Sequence, residues 1–330
     1  MLSLVIPVYK NEANLERLFS ALQVLDRELA EPMEVIFVVD GSPDRCLEIL
    51  SARLPALPLR TRLLSLSRNF GSFAAIGAGL QAGVGDYFAV LAADLQEPME
   101  LMHTFTTTLR NGEADIVFGC RSGRSDPWLS TLVSNFFWDV YRTLVVRDMP
   151  KGGVDIFACT RQVRDRLLEL PEANTNLIAL LFWVGFRRKF VQYQRQARQE
   201  GKSAWTFAKK LQYCLDSIFN FTDLPIRLLL YVGFAGVSVA VAFGGTLLLV
   251  KLWGLVPVPG YTAIVFSVVF FGGLTSLAFG IIGQYLWLTL QNARRRPLFI
   301  VATAKEIHPQ PADEVRLDAQ RYPGERIGGE

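Results

Sequence analysis

Four short polar clusters in the first hundred residues carry the side chains best suited to binding and chemistry. They read PVYKNE at 7–12, DGSPD at 40–44, SRNFG at 67–71 and ADLQEP at 93–98. Carboxylates, amides and arginine are the groups that bind divalent cations and phosphates. Asp94 and Gln96 stand at alternate positions after a strand pattern, which would aim both at one divalent cation. Taken singly, each cluster is also an ordinary turn sequence.

Each cluster follows a run of residues typical of a buried β-strand. The predicted strands are 4–9, 35–39, 62–66, 87–92 and 116–119, and helical spacing marks 14–29, 74–82 and a segment from about residue 100. Strands that alternate with helices predict an α/β fold with a mostly parallel sheet. Ligands of such sheets bind beyond the carboxyl ends of the strands, so we expect the four clusters to meet at one edge.

Apolar residues are concentrated in the last third of the chain. Of the 330 residues, 51% are hydrophobic and 20% are charged, whereas soluble domains average about 25% charged residues. Residues 228–250 and 252–293 contain no Lys, Arg, Asp, Glu or His. A membrane-spanning helix needs about 20 such residues, so we predict two spans at about 226–252 and 261–290. Charges are interspersed before residue 226, which excludes a polytopic transporter.

Basic residues flank the predicted spans. Residues 187–210 contain eight Lys or Arg and one acid, a local charge of +7, and three arginines follow at 294–296. The positive-inside rule places both flanks in the cytoplasm. Phe207, Leu211, Leu215 and Ile218 repeat at helical spacing, which favours a helix lying in the membrane interface. A solvated basic helix on a soluble surface is the alternative.

The cysteines, the first nine residues and the net charge argue against several other classes of protein. The four cysteines, Cys46, Cys120, Cys159 and Cys214, are far apart, which argues against a zinc site and favours buried thiols in a reducing compartment. The first nine residues lack a basic region and a cleavage site, so they are expected to form a strand and not a signal peptide. The net charge of +3 gives no reason to expect a nucleic-acid partner.

The order of the four clusters, followed by a basic stretch and two spans, resembles the family 2 glycosyltransferases that act on polyprenyl phosphates. Dolichol-phosphate mannose synthases and bactoprenol glucosyltransferases are members, and the resemblance covers residues 1 to about 295. It implies a GT-A fold that transfers a sugar, with inversion, from a nucleotide-sugar to undecaprenyl phosphate. The expected location is the cytoplasmic face of a bacterial inner membrane, in a multi-pass homo-oligomer that serves cell-surface glycan synthesis or modification.

This resemblance gives four expected regions. They are a GT-A nucleotide-sugar-binding catalytic domain at 1–186, a basic amphipathic juxtamembrane region at 187–225, two transmembrane helices within 226–292, and a mobile cytoplasmic tail at 293–330. A lipid acceptor would explain why a catalytic domain needs membrane spans, since donor and acceptor must be held together.

The resemblance also assigns roles to individual residues. Asp94 and Gln96 match the catalytic metal-binding motif for Mg²⁺ or Mn²⁺. The nucleotide-sugar would contact Pro7, Tyr9, Glu12, Asp40, Arg68, Asn69 and Gly71. The acceptor phosphate would contact Arg121, Ser134, Arg198 and Ser203. Because that phosphate is already largely dianionic near neutral pH, no protein base is required.

Acidic and basic positions of the family pattern are both altered here. Val39 and Ala92 stand where the family usually carries an acid, so one metal ligand is missing or replaced. The chain also reads Ile156-Phe157-Ala158 where relatives often carry F-R-L, and it has Thr131 at a basic acceptor-side position. In an active enzyme, Glu97 or Lys151 would compensate for the lost acid and arginine. The alternative is a catalytically weakened paralogue that keeps the nucleotide pocket and acts as a membrane scaffold or regulator. A processive synthase is disfavoured because the chain lacks a Q-x-x-R-W segment and further spans.

Overall fold

The computed structural model describes residues 1–29, 31–121, 149–150, 154, 156–170, 177–194, 222, 224–253, 260–294 and 296–308. The strands in these ranges are β1 (Leu2–Val8), β2 (Met33–Val39), β3 (Arg60–Leu66), β4 (Tyr87–Val90), β5 (Ile116–Arg121), β6 (Ile156–Thr160), β7 (Arg188–Tyr193) and β8 (Val301–Ile307). The helices are α1 (Leu15–Glu28), α2 (Cys46–Arg53), α3 (Ser72–Ala82), α4 (Glu100–Arg110), α5 (Arg161–Leu168), α6 (Leu177–Trp183), α7 (Leu224–Leu252) and α8 (Tyr261–Ala293).

The strands form one eight-stranded sheet in the order β7-β5-β6-β4-β1-β2-β3-β8. The pairs β1–β2, β1–β4, β2–β3 and β5–β7 are parallel, and β6 and β8 run antiparallel to their neighbours. The predicted mostly parallel α/β sheet is therefore confirmed, and it is consistent with a GT-A fold. The carboxyl ends of β1 to β5 and of β7 lie along one side of the sheet, which we call the C-terminal edge.

Helices cover both faces of this sheet. Leu4 and Ile6 of β1 pack in a core with residues of α1, α2 and α4, whereas Val5 packs in a second core with α3, α5 and α6. Successive side chains of a strand point to opposite faces, so a strand covered on both sides must be apolar at nearly every position. This is why the predicted strands could be found from continuous apolar runs.

The juxtamembrane boundary predicted at residue 187 is wrong for its first residues. Residues 188–193 form β7 and pair with β5. The guanidinium of Arg187 donates to both carboxylate oxygens of Asp115, at 3.0 and 2.9 Å, and Lys189 pairs with Glu113 at 2.5 Å. Acids distant in sequence therefore neutralise part of the predicted +7 charge. The amphipathic segment at 207–218 lies outside the described residues.

The predicted mobile tail contains a strand of the same sheet. β8 pairs antiparallel with β3, from Thr61 opposite Ile307 to Leu66 opposite Val301. Glu306 lies between two arginines of β3, at 2.9 Å from Arg60 and 3.3 Å from Arg62. The tail expected at 293–330 is thus ordered over 301–307, and residues from 309 onward lie outside the described residues.

Two long helices occupy the region of the predicted spans. α7 has 29 residues and α8 has 33. Within the described part of the chain, Phe270–Ala293 is long and apolar enough to cross a membrane, and Leu224–Gly236 is a shorter apolar stretch. The predicted two-helix transmembrane hairpin is not confirmed by this finding and stays a prediction. Its turn at 257–259 lies outside the described residues.

Candidate active site at the C-terminal edge

The loops that follow β1 and β2 are joined by hydrogen bonds. The backbone N–H of Lys10 donates to the Ser42 hydroxyl at 2.8 Å, and the N–H of Glu12 donates to the Asp44 carboxylate at 3.2 Å. In return, the Glu12 carboxylate accepts the N–H of Arg45 at 3.1 Å. The side chain of Glu12, predicted to line the nucleotide site, therefore holds the two loops together. A contact of Glu12 with nucleotide stays a prediction.

Asp44 and Cys46 stabilise the turn after β2. Burial raises the pKa of the Asp44 carboxyl, but hydrogen bonds from Ser42, Cys46 and the Glu12 N–H outweigh burial, and the pKa lies below its ordinary value. Burial raises the pKa of the Cys46 thiol to about 12, and that of the buried Cys159 thiol likewise to about 12. Both thiols therefore stay neutral, as inert buried cysteines do. Cys120 is also buried.

Asp40 holds the loop that follows β3. Its two carboxylate oxygens accept the N–H groups of Phe70, at 2.7 Å, and Gly71, at 2.8 Å. Residues Arg68–Gly71, which we call the donor loop, are thereby fixed against the end of β2. Hydrogen bonds to a charged group contribute about 1.5–3 kcal/mol each. Asp40 is 3% exposed, so its main visible role is to support this loop.

Gly41 lets the donor loop approach the end of β2, a role that sequence reasoning missed. Its φ is +55°, in the left-handed region that favours glycine. A Cβ atom there would lie 2.4 Å from the backbone carbon of Arg68 and 2.4 Å from the backbone nitrogen of Asn69. The glycine of the DGS turn was visible in the sequence, but the approaching loop was not.

Aromatic and cationic side chains lie on the solvent side of these loops. The Arg68 guanidinium lies 4.0 Å from the centre of the Phe70 ring, and it donates to the Asn69 carbonyl at 3.2 Å. Arg68 and Asn69 are exposed, and Tyr9 is 39% exposed with the Lys10 ammonium 5.4 Å from its ring centre. Rings and cations of this kind can stack on a base and pair with phosphates.

The ADLQEP cluster lies in a turn and not in an extended strand. β4 ends at Val90, two residues before its predicted end, and the Leu95 N–H donates to the Ala92 carbonyl at 3.3 Å. Leu95 has a φ of +52°. The alternation from which we aimed Asp94 and Gln96 at one ion requires extended backbone, so that geometric reason is wrong. Their joint binding of a metal stays a prediction on chemical grounds.

Two non-glycine residues of the described chain have a left-handed backbone, and both lie in the predicted clusters. They are Lys10, with φ +56°, and Leu95, with φ +52°. Such conformations cost of order 1–3 kcal/mol and are concentrated at functional sites. The backbone geometry therefore marks two of the four loops that the sequence pattern singled out.

The residues around Asp94 fit a metal ion that is shared with a substrate. Asp94 is half-buried, Gln96 is 8% exposed, and Glu97, the predicted compensating acid, is 3% exposed. The chain therefore has two carboxylates and one amide within four residues. In the described ranges, no three His, Cys, Asp or Glu side chains are grouped to hold a metal. Mg²⁺ in nucleotide enzymes is usually held by one or two carboxylates together with phosphates and water, which this donor set allows.

The predicted acceptor residues are placed only in part. Arg121 is the last residue of β5 and lies at the C-terminal edge, in register with Tyr193 of β7. Strand β6 separates it from β4, which precedes Asp94. Ser134, Arg198 and Ser203 lie outside the described residues, as does Lys151. Pro7 lies within β1, opposite Val38 of β2.

Comparison with known proteins identifies the family. The sequence pattern of glycosyl transferase family 2 matches residues 3–170. The chain belongs to this family. The glycosyltransferase is 33% identical over 302 residues to a glycosyltransferase of Synechocystis, sll0501, covering 91% of this chain and 94% of the relative. It is 31% identical to the putative glycosyltransferase CsbB of Bacillus subtilis, covering 92% of each chain.

Relatives with a more specific description also align along nearly the whole chain. The bactoprenol glucosyl transferase of Shigella phage SfV is 28% identical over 306 residues, which cover 92% of this chain and 99% of the relative. A solved structure with a similar fold is glucosyl-3-phosphoglycerate synthase from Mycobacterium tuberculosis in complex with Mn²⁺, UDP-glucose and phosphoglyceric acid. Its identity is 19% and its TM-score is 0.48, covering 66% of this chain and 78% of that one.

The two positions that lack the family's usual acid differ in their surroundings. Val39 is the last residue of β2, is 1% exposed and packs in the core. Ala92 is half-buried and begins the turn that contains Asp94. The glycosyltransferase therefore has an apolar core contact at position 39, while at position 92 it has a short side chain beside the predicted metal ligands.

Proposed function

We propose that this glycosyltransferase transfers a sugar from a nucleotide-sugar to undecaprenyl phosphate, with inversion, at the cytoplasmic face of the bacterial inner membrane. Its product would be a lipid-linked sugar for cell-surface glycan synthesis or modification. The alignment with bactoprenol glucosyl transferases over 92% of this chain supports a polyprenyl phosphate carrier as acceptor.

One observation carries the proposal: a short segment ties the long apolar helix α8 to the C-terminal edge. α8 ends at Ala293, and β8 begins at Val301 beside Leu66, directly before the donor loop. Eight residue steps span at most about 29 Å. A helix suited to lipid is thus tied to the edge where the donor loop and Asp94 lie. Such a tether suits an acceptor that stays in the bilayer.

The described residues can perform the transfer without a protein base. Tyr9 and Arg68 would contact the nucleotide, and Asp40 would keep the donor loop in place. Asp94 and Gln96 would hold Mg²⁺ or Mn²⁺, which supplies positive charge to the leaving diphosphate. An oxygen of the acceptor phosphate, oriented by Arg121, forms the new bond to the anomeric carbon as the bond to the diphosphate breaks. The electron pair leaves with the diphosphate.

The donor and acceptor contacts stay predictions, as do the location and the oligomeric state. Exposed apolar side chains along α7 and α8, such as Phe234 at 76% and Phe279 at 69%, support a bilayer as their surroundings. Both flanks carry arginine or lysine, which supports a cytoplasmic catalytic domain and a multi-pass chain. Single cysteines can be introduced into each loop of the protein and labelled in intact cells. The pattern of labelling would test this arrangement.

A homo-oligomer is proposed from the resemblance and from the glycines of the two long helices. At Gly233 and Gly272, an added Cβ atom would meet no atom of the described residues within 4 Å, apart from the neighbouring turns of its own helix. Close packing between protomers uses such positions in membrane helices. Mass measurement of the protein in nanodiscs tests the proposal, and a strictly monomeric species would contradict it.

A second function is supported by the apolar residues at 39 and 92. A paralogue that binds donor without transfer would act as a membrane scaffold or regulator. Val39 and Ala92 favour this reading because neither can supply an oxygen ligand to a metal. The two functions differ in whether Asp94 is needed for product formation.

The deciding experiment uses the purified full chain with undecaprenyl phosphate and a panel of labelled UDP-, GDP- and dTDP-sugars, with Mg²⁺ or Mn²⁺. Lipid extracts are separated by thin-layer chromatography. We expect one donor to yield a lipid-linked sugar and Asp94→Ala to abolish it. Glu113→Gln, which changes an exposed acid paired with Lys189, is the control and should remain active. Donor binding without any product would favour the scaffold.

A further inference from the structure

The segment that connects α8 to β8 contacts the regions on both sides of the donor loop. The carbonyl of Ile300 accepts the N–H of Ser67 at 2.9 Å, immediately before the loop begins. The ring of Phe299 lies 3.6 Å from the position of a Cβ atom on Gly77, in the helix that follows the loop. Phe299 is also packed against the core that contains α3.

The pairing of β8 with β3 is irregular at the same place. Ser65 lies opposite Thr303, and Leu66 lies opposite Val301, so Ala302 is an extra residue on β8. Such a bulge bends a strand and redirects its end, and bulges are frequent beside active sites. This one lies two residues before the donor loop. The bulge at Ala302 therefore lies between the regular part of β8 and Ile300, whose carbonyl accepts the N–H of Ser67.

The donor loop has few other attachments among the described residues. Asp40 holds Phe70 and Gly71, the Phe70 side chain packs against the core that contains α3, and the backbone of Arg68 and Asn69 closely approaches Gly41. Ser67, Arg68 and Asn69 are themselves exposed. Loops with exposed backbone and few buried contacts open at low free-energy cost, so each attachment matters to their order.

We propose that Phe299, Ile300 and Val301 form a positioning element for the donor loop, so that the segment leaving α8 sets the affinity for the nucleotide-sugar. Asp40 holds the loop from the β2 side, and this element holds Ser67 and α3 from the β3 side. The element acts through the loop and touches no reacting atom. Its effect on donor affinity rests on the proposed function, whereas its effect on loop order does not.

Hydrogen exchange of the full chain in lipid nanodiscs tests the proposal. The variants are Phe299→Leu and Phe299→Ala, which remove increasing parts of the ring. Glu306→Gln is the matched control, because it alters the other end of the same strand. We expect the amides of 67–71 to exchange faster in the order wild type, Leu, Ala, by about tenfold in total. Amides of β1 and β2 should exchange as in the wild type.

Kinetics supply the second measurement. For Phe299→Ala we expect the KM for donor to rise about tenfold while kcat at saturating donor stays within about twofold, since a disordered loop lowers affinity without changing the chemistry. Phe299→Leu should lie between the wild type and Phe299→Ala, and Glu306→Gln should leave both constants unchanged. If the amides of β1 and β2 also exchange faster in Phe299→Ala, the milder variant Phe299→Leu is used to test the proposal.

The outcomes separate this proposal from the proposed function. Unchanged exchange at 67–71 in both Phe299 variants overturns the positioning role, whatever the activity. An equal acceleration in Glu306→Gln overturns it too, since the effect would then belong to the whole strand. Faster exchange at 67–71 without any lipid-linked sugar from the wild type would retain the positioning element and reject the proposed function.

Discussion

The loops that follow β1, β2 and β3, which we call the donor side of the C-terminal edge, differ from the helices α7 and α8 in where their side chains find contacts. On the donor side, side chains of one loop bind the backbone of the next, as Asp40 does for Phe70 and Gly71. Along the helices, large apolar side chains such as Phe234 and Phe279 are exposed, at 76% and 69%. The first region finds its contacts within the chain, whereas the second leaves large apolar side chains exposed.

This difference separates supporting residues from contact residues. Asp40, Glu12 and Gly41 are engaged in fixing loops, so their substitution should act first on loop order and stability. Tyr9 and Arg68 are exposed on those loops and remain accessible to a ligand. The following substitutions test whether the donor side depends on contacts within the chain. They also test whether the helices α7 and α8 depend on contacts with lipid.

The largest effect is expected for Gly41→Ala. Its Cβ would lie 2.4 Å from the backbone of Arg68 and Asn69, and its φ is +55°. Overpacking together with left-handed strain should lower the free energy of unfolding by about 3 kcal/mol and disturb the donor loop. Thermal unfolding and donor binding by calorimetry measure the two effects.

Gly112→Ala is the control for Gly41→Ala. Gly112 also has a left-handed backbone, with φ +67°, but an added Cβ would meet no atom of the described part of the chain within 4 Å. We therefore expect only the backbone strain, about 1 kcal/mol, and normal donor binding. If both variants lose the same stability and both bind donor normally, the close approach of the donor loop to Gly41 is contradicted.

The next effect tests the surroundings of α8. Leu277 lies at the middle of the helix and is 58% exposed. If lipid surrounds it, Leu277→Arg should cost about 3 kcal/mol of insertion free energy and reduce the membrane-bound fraction after alkaline extraction. The same change at Leu168, a 36% exposed position at the end of α5, should leave membrane binding unchanged. Equal membrane binding of both variants would refute a lipid-facing α8.

A smaller effect is expected for Asp40→Asn. The amide keeps one acceptor oxygen but presents an N–H₂ group to the second backbone N–H, so one charge-assisted hydrogen bond is lost. At about 1.5 kcal/mol, this should raise the KM for donor about tenfold. Asp115→Asn removes a carboxylate that accepts from Arg187 far from the loops, and it should leave KM unchanged. A normal KM in Asp40→Asn would show that the loop does not depend on this carboxylate.

The smallest effect concerns the ion pairs of β8. The hydrogen bond from Arg60, with the charges of Arg62 and Arg60, holds the pKa of the Glu306 carboxyl below its ordinary value despite an opposing effect of burial. A lowered pKa means that this stabilisation is present above the ordinary glutamate pKa and is lost as pH falls through the folded-state pKa. Glu306→Gln should thus melt slightly below wild type near neutral pH.

The measurement is the difference in melting temperature between the wild type and Glu306→Gln, followed as a function of pH. Melting curves of wild type and Glu306→Gln should converge as the solution is acidified below the ordinary glutamate range, because both side chains are then uncharged. The exposed position limits the effect at any pH, since exposed ion pairs contribute little. A difference that stays constant on acidification would show that the ion pairs with Arg60 and Arg62 are not its cause.

Sequence reasoning succeeded where local pattern and structure coincide. The apolar runs before the polar clusters are strands because both faces of the sheet are covered, and parallel connections bring the cluster-bearing strand ends to one edge. It failed where the local backbone sets the direction of a side chain, or where a residue distant in the sequence neutralises a charge. The alternation of Asp94 and Gln96 assumed an extended chain, but Leu95 turns it, and the positive charge of 187–189 was counted without Asp115 and Glu113.

The sequence by itself determined the family, the core strands and the long apolar helices, because these depend on the kinds of residues in continuous segments. Only the tertiary structure decided that VATAKEI at 301–307 joins the sheet beside β3. That segment is short and exposed, with a lysine and a glutamate, and its partner strand is more than two hundred residues away in the chain. Its hydrogen bonds and ion pairs exist only once β3 offers a free edge with Arg60 and Arg62.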